Sequence, residues 1–169
     1  MAAKDGESLG EVPSLDVDSI NIDGVMEEKW DEALELPVDR ILKDGSKTNA
    51  SAVAYIFWSE NNLYVFAEVE DPTTREPNKE IQENTPWQTD SFEVFIDETN
   101  KAAKTPNQYR IDRSGFASYS NTDEFEYAAK VTEDGYNAEF KIQLQNEHSS
   151  GDKMGLQLQL NDAQIEDIQ

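Results

Sequence analysis

Cysteine is absent from the 169-residue chain, which excludes a disulfide framework and any thiolate metal site. Histidine occurs once, as His148 in "NEHSSGDK", a turn-like stretch that reads as surface loop rather than the seat of a catalytic base. Basic residues are scarce: 14 Lys plus Arg stand against 36 Asp plus Glu, a net charge of −22. A field of that sign repels phosphate backbones and anionic bilayers, so nucleic acid and membrane surfaces are excluded as partners. It suits a neutral ligand, a hard cation, or solubility alone. No apolar run approaches membrane-spanning length. The opening "MAAKDGESLGEVPS" has no hydrophobic core of a signal peptide, so a removed signal or a preceding domain is expected upstream.

What the chain does have is alternation. Residues 1–14 are small and polar and read as a linker or tail, leaving 15–169 as one domain long enough for a proper core. "LDVDSINIDG" alternates apolar and acidic residues and predicts a strand ending in a turn at Asp23-Gly24. Its acids miss the spacing of a calcium loop, because Ile20 falls on a ligand position. "VMEEKWDEA" predicts one or two helical turns that carry Trp30 into the core beside Met26 and Leu34. "SAVAYIFWSENNLYVFAEVED" reads as two strands joined at Ser59-Glu60-Asn61-Asn62, with Trp58 packing at the edge. "DSFEVFID" and "NQYRIDRS" form a second pair. "FEYAAKVTEDGYNAEFKIQL" turns at Glu133-Asp134-Gly135, and "KMGLQLQLND" is a strand with one solvated face. No repeat of fixed period is present. The pattern predicts an all-β fold, an antiparallel β-sandwich of jelly-roll type with little helix.

The longest irregular stretch, "DPTTREPNKEIQENTPWQT", ends on Trp87. Loops of that length inside a compact domain are usually functional. Directly after it, "SFEVFID" places Phe92, Val94 and Ile96 on one face and Ser91, Glu93, Phe95 and Asp97 on the other. Trp87 at the mouth of this strand is either a cap on the sandwich or a platform for a flat ligand. Glu93 and Arg110 are either a cross-strand ion pair or a hydroxyl-binding pair, and Asp112 is either a site residue or a turn acid. Asp97, Glu98 and Asn100 form an oxygen-rich loop of the kind calcium accepts, though acids cluster by chance in so acidic a chain.

The blocks "IDGVMEEKWDEA", "WSENNLYVFAEVEDP", "TPWQTDSFEVFIDETN", "QYRID", "DGYNAEFKIQL" and "GLQLQLNDAQ", in this order, resemble the family 9 carbohydrate-binding modules found attached to xylanases and related secreted enzymes. The resemblance covers roughly residues 20 to 164. It implies a non-catalytic β-sandwich that binds terminal sugars of β-linked polysaccharides such as cellulose and xylan, attached to a glycoside hydrolase and extracellular. It also implies bound calcium, largely structural. By position it places Trp87 as one of two stacking tryptophans, Glu93, Arg110 and Asp112 as polar groups on sugar hydroxyls, and Asn161 in the matching Asn-Asp-Ala block. The chemistry is consistent: an indole plate matches the apolar face of a pyranose, and covering ~100 Å² at ~25 cal/mol/Å² contributes ~2.5 kcal/mol. The carboxylate accepts and the guanidinium donates in a fixed fork.

The sequence departs from the family after the Asn-Asp-Ala block, where relatives carry the second tryptophan and a closing strand; no tryptophan follows Trp87. The expectation is a module lacking its last strand, a second wall supplied from elsewhere, or an open site, with Tyr119, Tyr127 and Tyr136 as candidate substitutes. Two rivals stand beside the binding reading. A glycosidase would need two carboxylates, for which Glu93 and Asp112 are available. A spacer or interaction module of a multidomain surface protein would need no site at all.

Overall fold

The computed structural model describes residues 8–17, 20–39, 48–101, 106–118 and 125–163. Two antiparallel sheets pack face to face, as the alternation predicts. The first has the order β1-β2-β3-β8-β7, built from Leu34–Val38 (β1), Ser51–Ser59 (β2), Asn62–Glu70 (β3), Gly135–Gln143 (β8) and Phe125–Val131 (β7). The second has the order β6-β5-β4-β9, built from Ala117–Ser118 (β6), Asn107–Asp112 (β5), Ser91–Asp97 (β4) and Gly155–Asn161 (β9).

Between the sheets lies the main core. Alternate residues of each strand enter it: Val65 and Ala67 from β3, Phe140 and Ile142 from β8, Phe92 and Val94 from β4, Ile111 from β5, all at 0 % exposure. The Phe92 and Phe140 rings, one from each sheet, lie with centroids 6.3 Å apart. The predicted hairpins close as expected. Ser59 pairs with Asn62 across a two-residue turn in which Glu60 takes the left-handed conformation at φ 53°. The β7–β8 turn needs its glycine, because a Cβ on Gly135 would meet the Val69 carbonyl oxygen at 2.0 Å.

Three local expectations differ. The "LDVDSINIDG" segment forms no strand among its described residues; only Ser14 bridges to Trp58. Its alternate apolar residues Leu15, Val17, Ile20 and Ile22 instead pack on a second cluster, Trp30, Phe57, Tyr64 and Phe66, on the outward face of the first sheet. The alternation is real, but the partner is a sheet face and not a neighbouring strand. Residues 13–15 are also seated, with Leu15 N donating to Trp58 O and Trp58 N to Pro13 O, so the expected tail runs along β2 at its end. Last, the long stretch before Trp87 holds a helix, Lys79–Asn84 (α1), whose N-cap Asn78 accepts from Ile81 N, an Asx cap at the start of the helix. Pro37, in a strand the alternation did not predict, sits on edge strand β1, where its missing N–H costs no ladder bond.

Trp30 is fully buried on a 3-10 turn, as expected, with its ring 4.8 Å from Phe57 and 5.4 Å from Phe66. Trp58 is half-buried against the main core.

Candidate functional site

The outward face of the second sheet carries the residues the sequence singled out. Because β4 sends Phe92, Val94 and Ile96 inward, Ser91, Glu93 and Phe95 point out. Registry sets Glu93 opposite Arg110 on β5 and opposite Gln159 on β9, and Ser91 opposite Asp112 and Asn161. Glu93 is fully enclosed and Arg110 is 4 % exposed, although both face away from the core. The two form an ion pair, Arg110 Nη2 to Glu93 Oε1, at 2.6 Å. Gln108 Nε2 donates to Glu93 Oε2 and Asn161 Nδ2 to Glu93 Oε1, both at 2.5 Å. Asn161 Nδ2 also reaches Ser91 Oγ at 3.0 Å, and Gln159 Nε2 donates to Asn161 Oδ1 at 2.8 Å. One carboxylate thus collects an arginine and two amides from the two strands that flank its own. A buried charge is tolerated only when so paired.

Trp87 lies just ahead of β4 in the chain. Thr85 breaks α1, and a short 3-10 turn, Pro86–Gln88, follows. Pro86 is buried and Thr89 Oγ1 donates to its carbonyl at 2.6 Å, so the turn is anchored while the Trp87 side chain is left 49 % exposed. Of the two readings of this residue, a cap on the core and an outward plate, the geometry is that of a plate.

Asp112 takes the turn role. Its Oδ1 accepts from Ser114 N, Ser114 Oγ and Phe116 N, and its Oδ2 from Gln82 Nε2 at 2.7 Å. It fastens the turn after β5 to α1 and so to the segment that carries Trp87. The structure therefore brings Glu93, Arg110 and Asn161 into one network, and ties Asp112, through Gln82, to the helix that precedes Trp87. The pairing of Glu93 with Asp112 as glycosidase carboxylates is not what the geometry supplies, because one faces an arginine and the other a turn. Gln108 and Gln159 were not singled out in the sequence. Their signal was the β-register: residues two apart along a strand from Arg110 and Asn161 share the same face.

Of the candidate substitute walls, Tyr136 is fully buried in the core. Tyr127 lies on β7 of the other sheet, stacked on Phe125 at 4.7 Å, and Tyr119 lies outside the described residues.

The proposed calcium loop is differently employed. Asp97 accepts from Thr99 N, Thr99 Oγ1 and Lys101 N, and Asn100 holds the left-handed turn at φ 49°. Glu98 accepts from Gln145 N, Asn146 N and Asn146 Nδ2, and its Oε2 lies 3.0 Å from His148 Nε2. Burial pushes the Glu98 carboxyl up, but these hydrogen bonds outweigh it and leave it below its ordinary value. His148, expected as a surface residue, has a side chain only 11 % exposed against that carboxylate. The carboxylates of Asp97 and Glu98 thus accept from N–H and O–H donors.

Three other acids do converge. Asp71 after β3, Asp90 before β4 and Asp162 after β9 each bring a carboxylate oxygen within 4.8 Å of the others. Burial raises the Asp90 carboxyl above its ordinary value; backbone donors Arg75 N and Ala163 N oppose this, and the charges of Asp71 and Asp162 add to it. Hard oxygen donors packed this closely fit a calcium-sized cation. Beside them an open cavity of about 450 Å³ is lined by Asp71, Arg113 and the β7–β8 turn.

Comparison with known proteins agrees with this architecture. The family described as "Carbohydrate family 9 binding domain-like" matches residues 22–168. Endo-1,4-beta-xylanase A of Thermotoga neapolitana is 31% identical over 150 residues, covering 84% of this chain and 14% of the xylanase. Endo-1,4-beta-xylanase C of Paenibacillus barcinonensis is 32% identical over 149 residues, covering 83% and 13%. The chain therefore spans about one seventh of the length of these relatives. Among solved structures, a family 9 module from Caldicellulosiruptor kristjanssonii in complex with cellotriose superposes with a TM-score of 0.75 at 30% identity, covering 89% of this chain and 75% of that one. One from the same organism in complex with glucose gives 0.71 at 29% identity, covering 89% and 78%.

Proposed function

The chain belongs to the family 9 carbohydrate-binding modules and is a non-catalytic sugar-binding domain; from that premise we propose that it binds terminal sugars of β-linked glucan or xylan on the outward face of the second sheet, against Trp87. The observation that carries the assignment is a carboxylate–guanidinium–amide network on the outward face of the second sheet, with an exposed, anchored indole on the turn that leads into its β4 strand. Trp87 supplies the plate for the apolar face of a pyranose. Gln159 keeps one N–H and its carbonyl oxygen, and Asn161 Oδ1 a second lone pair, for sugar hydroxyls. The enclosed Glu93–Arg110 pair fixes these amides in place, an organising role in front of which the ligand lies. A single plate contributes ~2.5 kcal/mol before association costs, so the affinity expected is modest.

Calcium belongs to the same proposal, held by Asp71, Asp90 and Asp162 in preference to the Asp97–Asn100 turn. Neutralising three mutually repelling acids beside the Trp87 segment would stiffen that end of the sandwich. Calcium is expected to raise the melting temperature and a chelator to lower it, with Asp90→Asn indifferent to both; a melting temperature unmoved by calcium removes the site. The similarity to xylanase segments supports attachment to an extracellular glycoside hydrolase.

The test is a titration of glucose, cellobiose and xylobiose into the protein, followed by tryptophan fluorescence. A saturable shift is expected. No shift at millimolar sugar would favour a spacer module without a working site.

A further inference from the structure

Helix α1, Lys79–Asn84, buries none of its residues, and its one large apolar side chain, Ile81, belongs to neither apolar cluster. A helix this short is not held by propensity, so its place on the sandwich is set by what ties it there. Two of its side-chain contacts, Lys79 with Glu83 and Asn84 with the Glu80 carbonyl, stay within the helix. Among the described residues one side chain bonds outward. Gln82 Nε2 donates to Asp112 Oδ2 at 2.7 Å and to Ser114 Oγ at 3.0 Å.

The partner is itself immobile. Asp112 is 2 % exposed at the end of β5, and its Oδ1 already holds Ser114 N, Ser114 Oγ and Phe116 N. Its charge strengthens the bond from Gln82. What this clamp holds extends to Trp87. Thr85 N donates to Ile81 O at 2.9 Å and Gln88 N to Thr85 O at 2.8 Å, so α1 and the Pro86–Gln88 turn share one run of backbone hydrogen bonds. Pro86 and Thr89 secure the far side of that turn, and Gln82 secures the near side. Held on both sides, the indole keeps one orientation; held on one, its turn can swing about the anchor.

We propose that Gln82 is a positioning residue, whose clamp on Asp112 sets the orientation of Trp87 and through it the affinity for sugar. This rests on the reading of Trp87 as the sugar platform. Gln82 need not touch the ligand. It acts by removing orientations of the plate that would otherwise have to be given up at the moment of binding.

The experiment labels the full chain with fluorotryptophan for fluorine NMR and titrates cellobiose into it by calorimetry. Loss of one resonance in Trp87→Phe identifies the Trp87 signal. In Gln82→Ala that signal should shift while those of Trp30 and Trp58 stay in place. Cellobiose should then bind roughly tenfold more weakly, the worth of one charge-assisted hydrogen bond. Gln82→Glu combined with Asp112→Asn reverses donor and acceptor across the clamp, and the new amide's oxygen still accepts from the turn. That pair should restore both the resonance and the affinity. Gln82→Glu alone sets two carboxylates face to face and should weaken binding at least as much as Gln82→Ala. A Trp87 signal unmoved in Gln82→Ala overturns the proposal, as does an unchanged affinity beside a moved signal. A shift of all the tryptophan signals together also overturns it, because that marks a merely structural role. No binding of cellobiose to the unaltered protein is the separate result that removes the Trp87 sugar site, and with it the role assigned to Gln82.

Discussion

Each sheet of the sandwich turns one face outward, and the chain treats those faces in opposite ways. The first sheet covers its outward face with the segment from Leu15 to Ala33, which closes Trp30, Phe57, Tyr64 and Phe66 into a second apolar cluster. The second sheet, on its outward face, sets polar residues instead, Glu93, Arg110, Gln108 and Asn161, cross-bonded over three strands. The contrast is sharpest in two tryptophans. Trp30 is at 0 % exposure and Trp87 at 49 %, though each sits on a short 3-10 turn. The lesson is that exposure of an aromatic is set by whether its turn is folded onto a face or anchored beside one.

The comparison breaks most severely at Trp30. Truncation to alanine should cost about 4 kcal/mol of stability, lowering the denaturation midpoint while leaving sugar affinity in the folded fraction unchanged. A variant as stable as the parent would mean that the covered face contributes little to the fold.

The next effect is electrostatic and also belongs to the covered face. Glu139 is fully buried under the segment, where its Oε2 accepts from Asp23 N at 2.9 Å and Gly24 N at 2.8 Å. Burial pushes its carboxyl from 4.5 up to about 7, against the pull of those two donors, with the nearby Asp23 and Glu27 charges adding to the rise. The folded state therefore binds the proton more tightly than the unfolded state. The resulting stabilisation is complete below pH 4.5 and is lost as pH rises through about 7. Its size is roughly 3 kcal/mol. Subtracting the stability of Glu139→Gln from that of the parent at each pH should isolate a fall over this window; a flat difference would contradict it.

Much of this contrast could be read from the residues, and the reason is periodicity. β9 alternates strictly, "GLQLQLN", and β4, "SFEVFID", does so except at Phe95, because the polar side of each faces away from the core. β2 and β3 carry nearly continuous apolar runs because both faces are covered, a condition the segment 15–33 creates. That segment has the pattern of a strand without being one, because a chain packed flat on a sheet shows the same alternation as one paired at its edge. Trp87, Glu93, Arg110 and Asn161 were legible through the family blocks that contain them. The enclosure of Glu93 was not, since it depends on Gln108 and Asn161 arriving diagonally from two other strands. The grouping of Asp71, Asp90 and Asp162 was equally hidden, because three strand ends far apart in sequence meet only after both sheets have formed.

The outward face of the second sheet carries the central claim, and one measurement bears on it most directly. Cellotriose should be titrated into Trp87→Ala by calorimetry, with a thermal melt of the same sample. Trp87 is half-exposed and outside both apolar clusters, so the melt should match the parent to within ~0.5 kcal/mol. Losing ~2.5 kcal/mol of stacking should weaken binding by about two orders of magnitude. A folded variant that binds cellotriose as tightly as the parent would contradict the account.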